Sequence, residues 1–301
     1  MNIQDYLRGN RVSEIKAGQS GADVWEINGE AVLKHIERGR LENSLFDTYS
    51  REALFYRDKA GTADYLPQVL QVEIVEDEII LLLKKYSSPD RRSLDDSLLL
   101  RIARTLARIH TDTVPGFLGC CESPSESLSP ECIGECLAGW KSILDEHAGV
   151  FDSVPLTAIA KKINRIIAWH NMEERVLAHG DFHFDNLLLD DRGNILVCDW
   201  QGVNLGSPSA DLSFFMSRLD SDGITVDPVF FLQAYADAVR DLTGHAVDTA
   251  GIAGHIAAAN VITSFRFWHQ FLHGADTDRV RTIYGKMADD FRRLEGMNGI
   301  A

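Results

Sequence analysis

The chain has 301 residues, 45% of them apolar and 25% charged, and its 45 acidic residues against 30 Lys and Arg give a formal net charge of −15. That length suits two lobes better than one core, and the composition is that of a soluble globular protein, not a disordered or fibrous one. So acidic a chain lacks the basic face of a nucleic-acid binder, while its field would attract a cationic small molecule.

The N-terminal stretch MNIQDYLRGN has no apolar segment of the signal-peptide kind. The purest apolar run, Ile79 to Leu83, is far shorter than the roughly 20 residues a membrane span needs. A cytoplasmic protein without a membrane partner is expected. The five cysteines are an odd number. Cys120, Cys121, Cys132 and Cys136 cluster without the further Cys/His pair of a zinc site, and are read as reduced thiols.

In chain order, Val24 to Ile27 and Ala31 to Ile36 read as strands around a hairpin turn at Asn28-Gly29. Residues 41–60 carry Leu45, Tyr49, Ala53 and Tyr56 on one helical stripe. Two more strands, 69–75 and 78–83, follow around Glu76-Asp77. From residue 91 the pattern turns helical, through Leu99, Ile102, Leu106 and Ile109 and again over 156–172, with a Pro-, Gly-, Ser- and Cys-rich loop expected over 111–135. Further helices are predicted at 228–243, 250–273 and 277–296. The expected fold class is α+β and bilobal: a β-rich lobe over 1–84, a hinge about 84–90, and a larger, mainly α-helical lobe over 85–301.

The chemistry concentrates in HGDFHFDNLLLDDRGNILVCD, residues 179–199. Phosphoryl transfer needs a carboxylate to orient the attacking hydroxyl and take its proton, and oxygen ligands to hold Mg²⁺ on the nucleotide phosphates. Asp181 suits the first role, and Asn186 and Asp199 the second. Leu187 to Leu189 and Ile195 to Cys198 can pair across the 190–194 turn, which returns Asp199 to the loop holding the other two.

This stretch resembles the catalytic and metal-binding segments of protein kinases and their small-molecule relatives. Gly180 stands where the protein-kinase pattern has Arg, and Asp199-Trp200-Gln201 stands in place of D-F-G. Both departures resemble the aminoglycoside phosphotransferase and choline kinase branch. The resemblance implies a protein-kinase-like fold, ATP as phosphoryl donor (GTP not excluded), Mg²⁺, and a small-molecule hydroxyl acceptor, cationic in several members. It also implies that residues 17–25, including Ser20 and Gly21, cover the phosphates, that Lys34 pairs with them oriented by Glu52, and that the segment Leu81 to Tyr86, with Lys84 and Tyr86 in it, meets the adenine edge. Asp211 resembles the family's buried aspartate, which braces the catalytic loop. His183 either touches a phosphate or packs.

Only twelve positions separate Asp199 from Asp211, too few for the peptide platform of a protein kinase. The expected acceptor is an aminoglycoside or other antibiotic, whose pocket would use carboxylates such as Asp276, Asp278, Asp289 and Asp290. The alternative is a choline- or ethanolamine-type metabolite, for which Phe265, Phe267, Trp268 and Phe271 could form an aromatic cage. A non-catalytic nucleotide-binding pseudokinase is the second alternative.

Overall fold

The computed structural model describes residues 7–15, 21–119 and 127–297. Five antiparallel strands, β1 (Val12–Glu14), β2 (Asp23–Ile27), β3 (Ala31–Glu37), β4 (Val69–Val75) and β5 (Glu78–Lys84), form one sheet in the order β1-β2-β3-β5-β4. The three-residue β2–β3 turn, across which Ile27 pairs with Ala31, has positive φ at both Asn28 (56°) and Gly29 (79°), a backbone that Asn and Gly adopt more readily than other residues. The alternation of β3 divides the core. Leu33 packs with Ile27 and Ile80 on one face. Ile36 meets Phe46, Tyr49 and Ala53 of α1 (Asn43–Lys59) on the other. Lys34, two residues before Ile36, therefore lies on the face that α1 covers.

After the sheet come α2 (Asp96–Thr111), α3 (Pro130–Glu146) and α4 (Val154–His170). The helix from Pro130 corrects the expected loop over 111–135. Ser129 caps it by accepting from Cys132 N–H, and Pro130 opens its first turn. Two short hairpin-like pairs follow: β6 (Val176–Ala178) with β9 (Asn204–Gly206), and β7 (Leu187–Leu189) with β8 (Ile195–Val197). The chain continues through α5 (Pro208–Ser221), α6 (Pro228–Thr243), α7 (Thr249–Phe267) and α8 (Thr277–Glu295). The expected helix at 250–273 ends at Phe267 and gives way to a 3₁₀ turn over Trp268–Phe271.

The chain divides into two compact units. One holds the described parts of Met1–Cys121 with Val176–Gly206 and Phe214–Val247, and so contains both the sheet and the 179–199 segment. The other holds the described parts of Glu122–Arg175 with Ser207–Ser213 and Asp248–Ala301. Its core joins Trp140, Ile159, Ile163, Ile166, Phe265, Val280, Met287 and Phe291, and the Trp140 indole donates to the Phe265 carbonyl at 3.2 Å. Among the described residues no helix is long and apolar enough to cross a membrane. The described cysteines Cys132, Cys136 and Cys198 are free thiols. Cys120 and Cys121 lie outside the described residues.

Candidate active site

Lys34 is the hub. Its Nζ donates to Glu52 Oε2 at 2.8 Å and to Asp199 Oδ1 at 3.0 Å, and sits 4.8 Å above the Tyr49 ring. Helical spacing explains the pairing: Tyr49, Glu52 and Ala53 lie on the stripe of α1 that faces β3. Burial works against the Lys34 charge, but Glu52 and Asp199 outweigh it and raise the ammonium's pKa. Burial, with the charge of Asp199, pushes the Glu52 carboxyl up against the pull of Lys34. Asp199 is held below its ordinary value because Lys34 and the Gln201 amide overcome its own desolvation.

The catalytic-loop segment is fixed from within. Asn186 Nδ2 donates to the Asp181 backbone carbonyl at 2.9 Å, which turns its Oδ1 away from that bond. Asp199 Oδ1 accepts from Lys34 and, at 2.6 Å, from Gln201, leaving Oδ2 available. An amide oxygen and a carboxylate oxygen suit a hard cation such as Mg²⁺, which keeps waters and phosphate oxygens in its remaining positions. The Asp181 side chain is 45% exposed, with His183 Nε2 at 3.5 Å from its Oδ2. Asp199 adopts a left-handed backbone (φ 63°, ψ 63°), which Asp tolerates better than most residues.

Three contributions were not foreseen from the sequence. Fully buried His179 accepts the Asp181 N–H on Nδ1 at 3.2 Å, and its Nε2 lies 3.0 Å from the Cys198 carbonyl. That pattern assigns the proton to Nε2 and ties the two carboxylate-bearing stretches together. Gln201 orients the Asp199 carboxylate. Arg91 donates to Asp185 Oδ1 at 2.5 Å and to Asp222 Oδ2 at 2.6 Å, anchoring the loop from outside. The signal for His179 was its place in the H-G-D triplet, and for Gln201 its place two residues after Asp199; Arg91 had none.

Gly180 explains the departure from the protein-kinase pattern. Its φ is +79°, and a Cβ there would lie 2.1 Å from the Gly202 carbonyl oxygen. Gly180→Ala is expected to lower kcat by about 10²-fold through misplacement of Asp181, and to lower the melting temperature. Turnover and thermal unfolding equal to the parent would refute this packing constraint.

Of the other expected site residues, Gly21 is described and has φ +77°, while Ser20 lies outside the described residues. Lys84 and Tyr86 sit at the end of β5, with Lys84 Nζ 3.5 Å from Asp191 and 5.1 Å from the Tyr86 ring centre. The Lys84 and Lys85 amides donate to Gln68 and Glu30 carbonyls. Tyr86 carries the first amide of that segment outside these bonds.

In the helical unit the candidate acceptor carboxylates are engaged locally. Asp276 caps α8 by accepting from Arg279 N–H at 2.8 Å. Asp278 pairs with Arg281, Asp289 with Arg292, and buried Asp290 accepts from Asn260 at 3.1 Å. Phe265 is core, whereas Thr263, Phe267, Trp268, Phe271 and Arg279 line a cavity of about 440 Å³.

Comparison with solved structures gives the same fold over nearly the whole chain. The ADP-bound aminoglycoside phosphotransferase APH(2'')-Ib is 16% identical, with a TM-score of 0.56 over 97% of both chains. The GDP complex of wild-type aminoglycoside 2'-phosphotransferase-IIIa is 14% identical, with a TM-score of 0.59 over 96% of both. A Plasmodium vivax ethanolamine kinase is 11% identical, with a TM-score of 0.57 over 98% of this chain and 86% of its own. The expected α+β, protein-kinase-like class is thereby met. A comparison with curated protein sequences found no match. The model of the phosphotransferase enzyme family matches residues 11–246, and the chain belongs to that family.

Proposed function

We propose that the protein transfers the γ-phosphoryl group of ATP to a hydroxyl of a small, cationic acceptor, with Asp181 as the base and Asn186 and Asp199 as the Mg²⁺ ligands. The observation that carries this reading is Lys34, bonded at once to Glu52 and Asp199. A lysine so placed is held protonated and aimed at the point where the phosphate charge would lie, beside a carboxylate with one oxygen still free. Mg²⁺, when bound, would neutralise charge on the transferring phosphoryl group. Lys34 adds a fixed positive charge to the same phosphates, Gly21 offers them its own unobstructed backbone amide, and the Tyr86 amide is available to the adenine edge. Asp181 aligns the acceptor hydroxyl and takes its proton as the bond to phosphorus forms. His179 keeps Asp181 and Asp199 in register throughout.

Among acceptors, an aminoglycoside or other antibiotic is the first expectation, drawn from family resemblance and from the net charge of −15. A choline- or ethanolamine-type acceptor is favoured by one observation: Phe267, Trp268 and Phe271 line an open cavity, and aromatic faces attract ammonium groups. Arg279 at the same cavity opposes a cation there. The test is ADP release from Mg²⁺-ATP, and GDP release from Mg²⁺-GTP, across a panel of kanamycin-like sugars, macrolides, choline and ethanolamine. Acceptor-dependent turnover is expected with one class. Nucleotide binding without turnover on any acceptor would replace this reading with that of a non-catalytic scaffold.

A further inference from the structure

The helical unit holds a second cluster of chemistry-bearing side chains that phosphoryl transfer does not use. His170 closes α4, Glu173 follows three residues later, and His255 lies one turn and a half into α7. One ligand atom from each lies within 4.8 Å of the others. His170 Nδ1, Glu173 Oε1 and His255 Nδ1 are each shut off from solvent without a hydrogen-bond partner, and His170 as a whole is only 6% exposed. Buried polar atoms almost always find a partner. Three without one, on side chains gathered this closely, call for a shared one. A single water would serve all three only if one imidazole carried its proton on Nδ1, whereas a divalent cation takes a lone pair from each without that condition.

The surroundings orient these atoms as ligand supports do. Glu173 Oε2 is taken by the hydroxyls of Ser207 and Ser209, the latter at 2.6 Å, so Oε1 is the oxygen left over. The Trp169 ring stacks on His255 at 4.0 Å with a 14° interplanar angle and fixes the imidazole plane. Gly254 permits that stack, since a Cβ there would come within 2.9 Å of the Trp169 ring.

We propose that His170, Glu173 and His255 form a Zn²⁺ site that ties the end of α4 and the Ser207–Ser209 segment to α7. Two imidazoles and one carboxylate are the donor set of a borderline ion; Mg²⁺ and Ca²⁺ favour all-oxygen sets. Bond lengths of about 2.0–2.2 Å require the side chains to close slightly on loading. Three protein donors leave the fourth tetrahedral position for a water.

The test uses the full chain, stripped with a chelator and titrated with Zn²⁺ by calorimetry and with Co²⁺ by visible absorption. One equivalent is expected, with Co²⁺ ligand-field bands, no thiolate charge-transfer band, and quenching of Trp169 fluorescence that Trp169→Phe removes. His255→Ala and Glu173→Gln should each weaken Zn²⁺ binding by more than about 100-fold, and Ser209→Ala, which removes only a support, by about 10-fold. Asp199→Ala should retain the equivalent, which separates this site from the phosphoryl-transfer centre. The Co²⁺ spectrum of the unsubstituted protein answers the question even where a variant fails to fold. No Zn²⁺ or Co²⁺ binding to that protein, unchanged affinity in folded His255→Ala, or loss of the equivalent in Asp199→Ala would each overturn the proposal.

Discussion

Replacing Asp181 by Asn is expected to lower kcat by about 10²–10⁴-fold, the contribution of a positioned general base, with nucleotide affinity and melting temperature near those of the parent. The local geometry explains why the effect should be confined to chemistry. The loop is held through the Asp181 backbone, whose carbonyl accepts from Asn186 and whose N–H donates to His179. Neither bond involves the carboxylate, whose Oδ2 takes only a longer second contact from Asn186 Nδ2 at 3.4 Å. The side chain is 45% exposed, so an amide in its place leaves no buried group unpaired. His183 loses a neighbouring charge at 3.5 Å, a partly solvated pair of small consequence. Because the transition state of phosphoryl transfer is loose, orientation of the acceptor outweighs basicity. Near-normal turnover in the Asn variant would remove Asp181 from the reaction.

Loss of the Asp199 carboxylate should have a different signature. Asp199→Ala, and the isosteric Asp199→Asn, are expected to abolish the Mg²⁺-dependent part of ATP binding, leaving affinity at the level seen without Mg²⁺. The Asn variant matters because position 199 has a left-handed backbone, which Asn adopts with little strain and Ala does not. Lys34 remains paired with Glu52 in both, so the fold around β3 and α1 is expected to survive. Unchanged Mg²⁺-ATP affinity in calorimetry would count against the assignment. The pH dependence follows from the same contacts. The native carboxyl is held below its ordinary value by Lys34 and Gln201 against its own burial. Its stabilising contribution is therefore complete above the unfolded value of about 3.9. It is lost only as pH falls through the lower native value. Mg²⁺-nucleotide affinity should show no titration of this group between pH 8 and pH 5.

The part of the site legible in the sequence is the part that is local. Asp181, Asn186 and Asp199 fall within one loop and hairpin, and the turn residues 190–194 specify how that hairpin closes: Asp190 accepts from the amides of Arg192 and Asn194. Lys34 and Glu52 could be paired because strand and helix periodicities assign them to facing surfaces. What escaped the sequence depends on close approach between distant segments. Nothing in the string around Gly202 announces that its carbonyl occupies the space a side chain at 180 would need. His170 reads as one more residue on the helical stripe of α4, and its nearness to His255 appears only once α4 and α7 are packed. The helix from Pro130 was masked by a Ser- and Cys-rich composition that suggests a loop, although Ser129-Pro130-Glu131 is itself a helix-start signal.

Trp200 follows Asp199 directly, where protein kinases carry the Phe whose packing distinguishes active from inactive forms. Here the indole is fully buried, stacked 4.2 Å from Phe55, 4.5 Å from His179, and bonded through Nε1 to the Val197 carbonyl at 2.8 Å. Swinging it outward would empty a cavity the size of an indole and break that bond. Inhibitors that work by capturing such an outward rotamer would have to overcome that packing, so drug-like compounds against this enzyme are better aimed at the nucleotide-competent state.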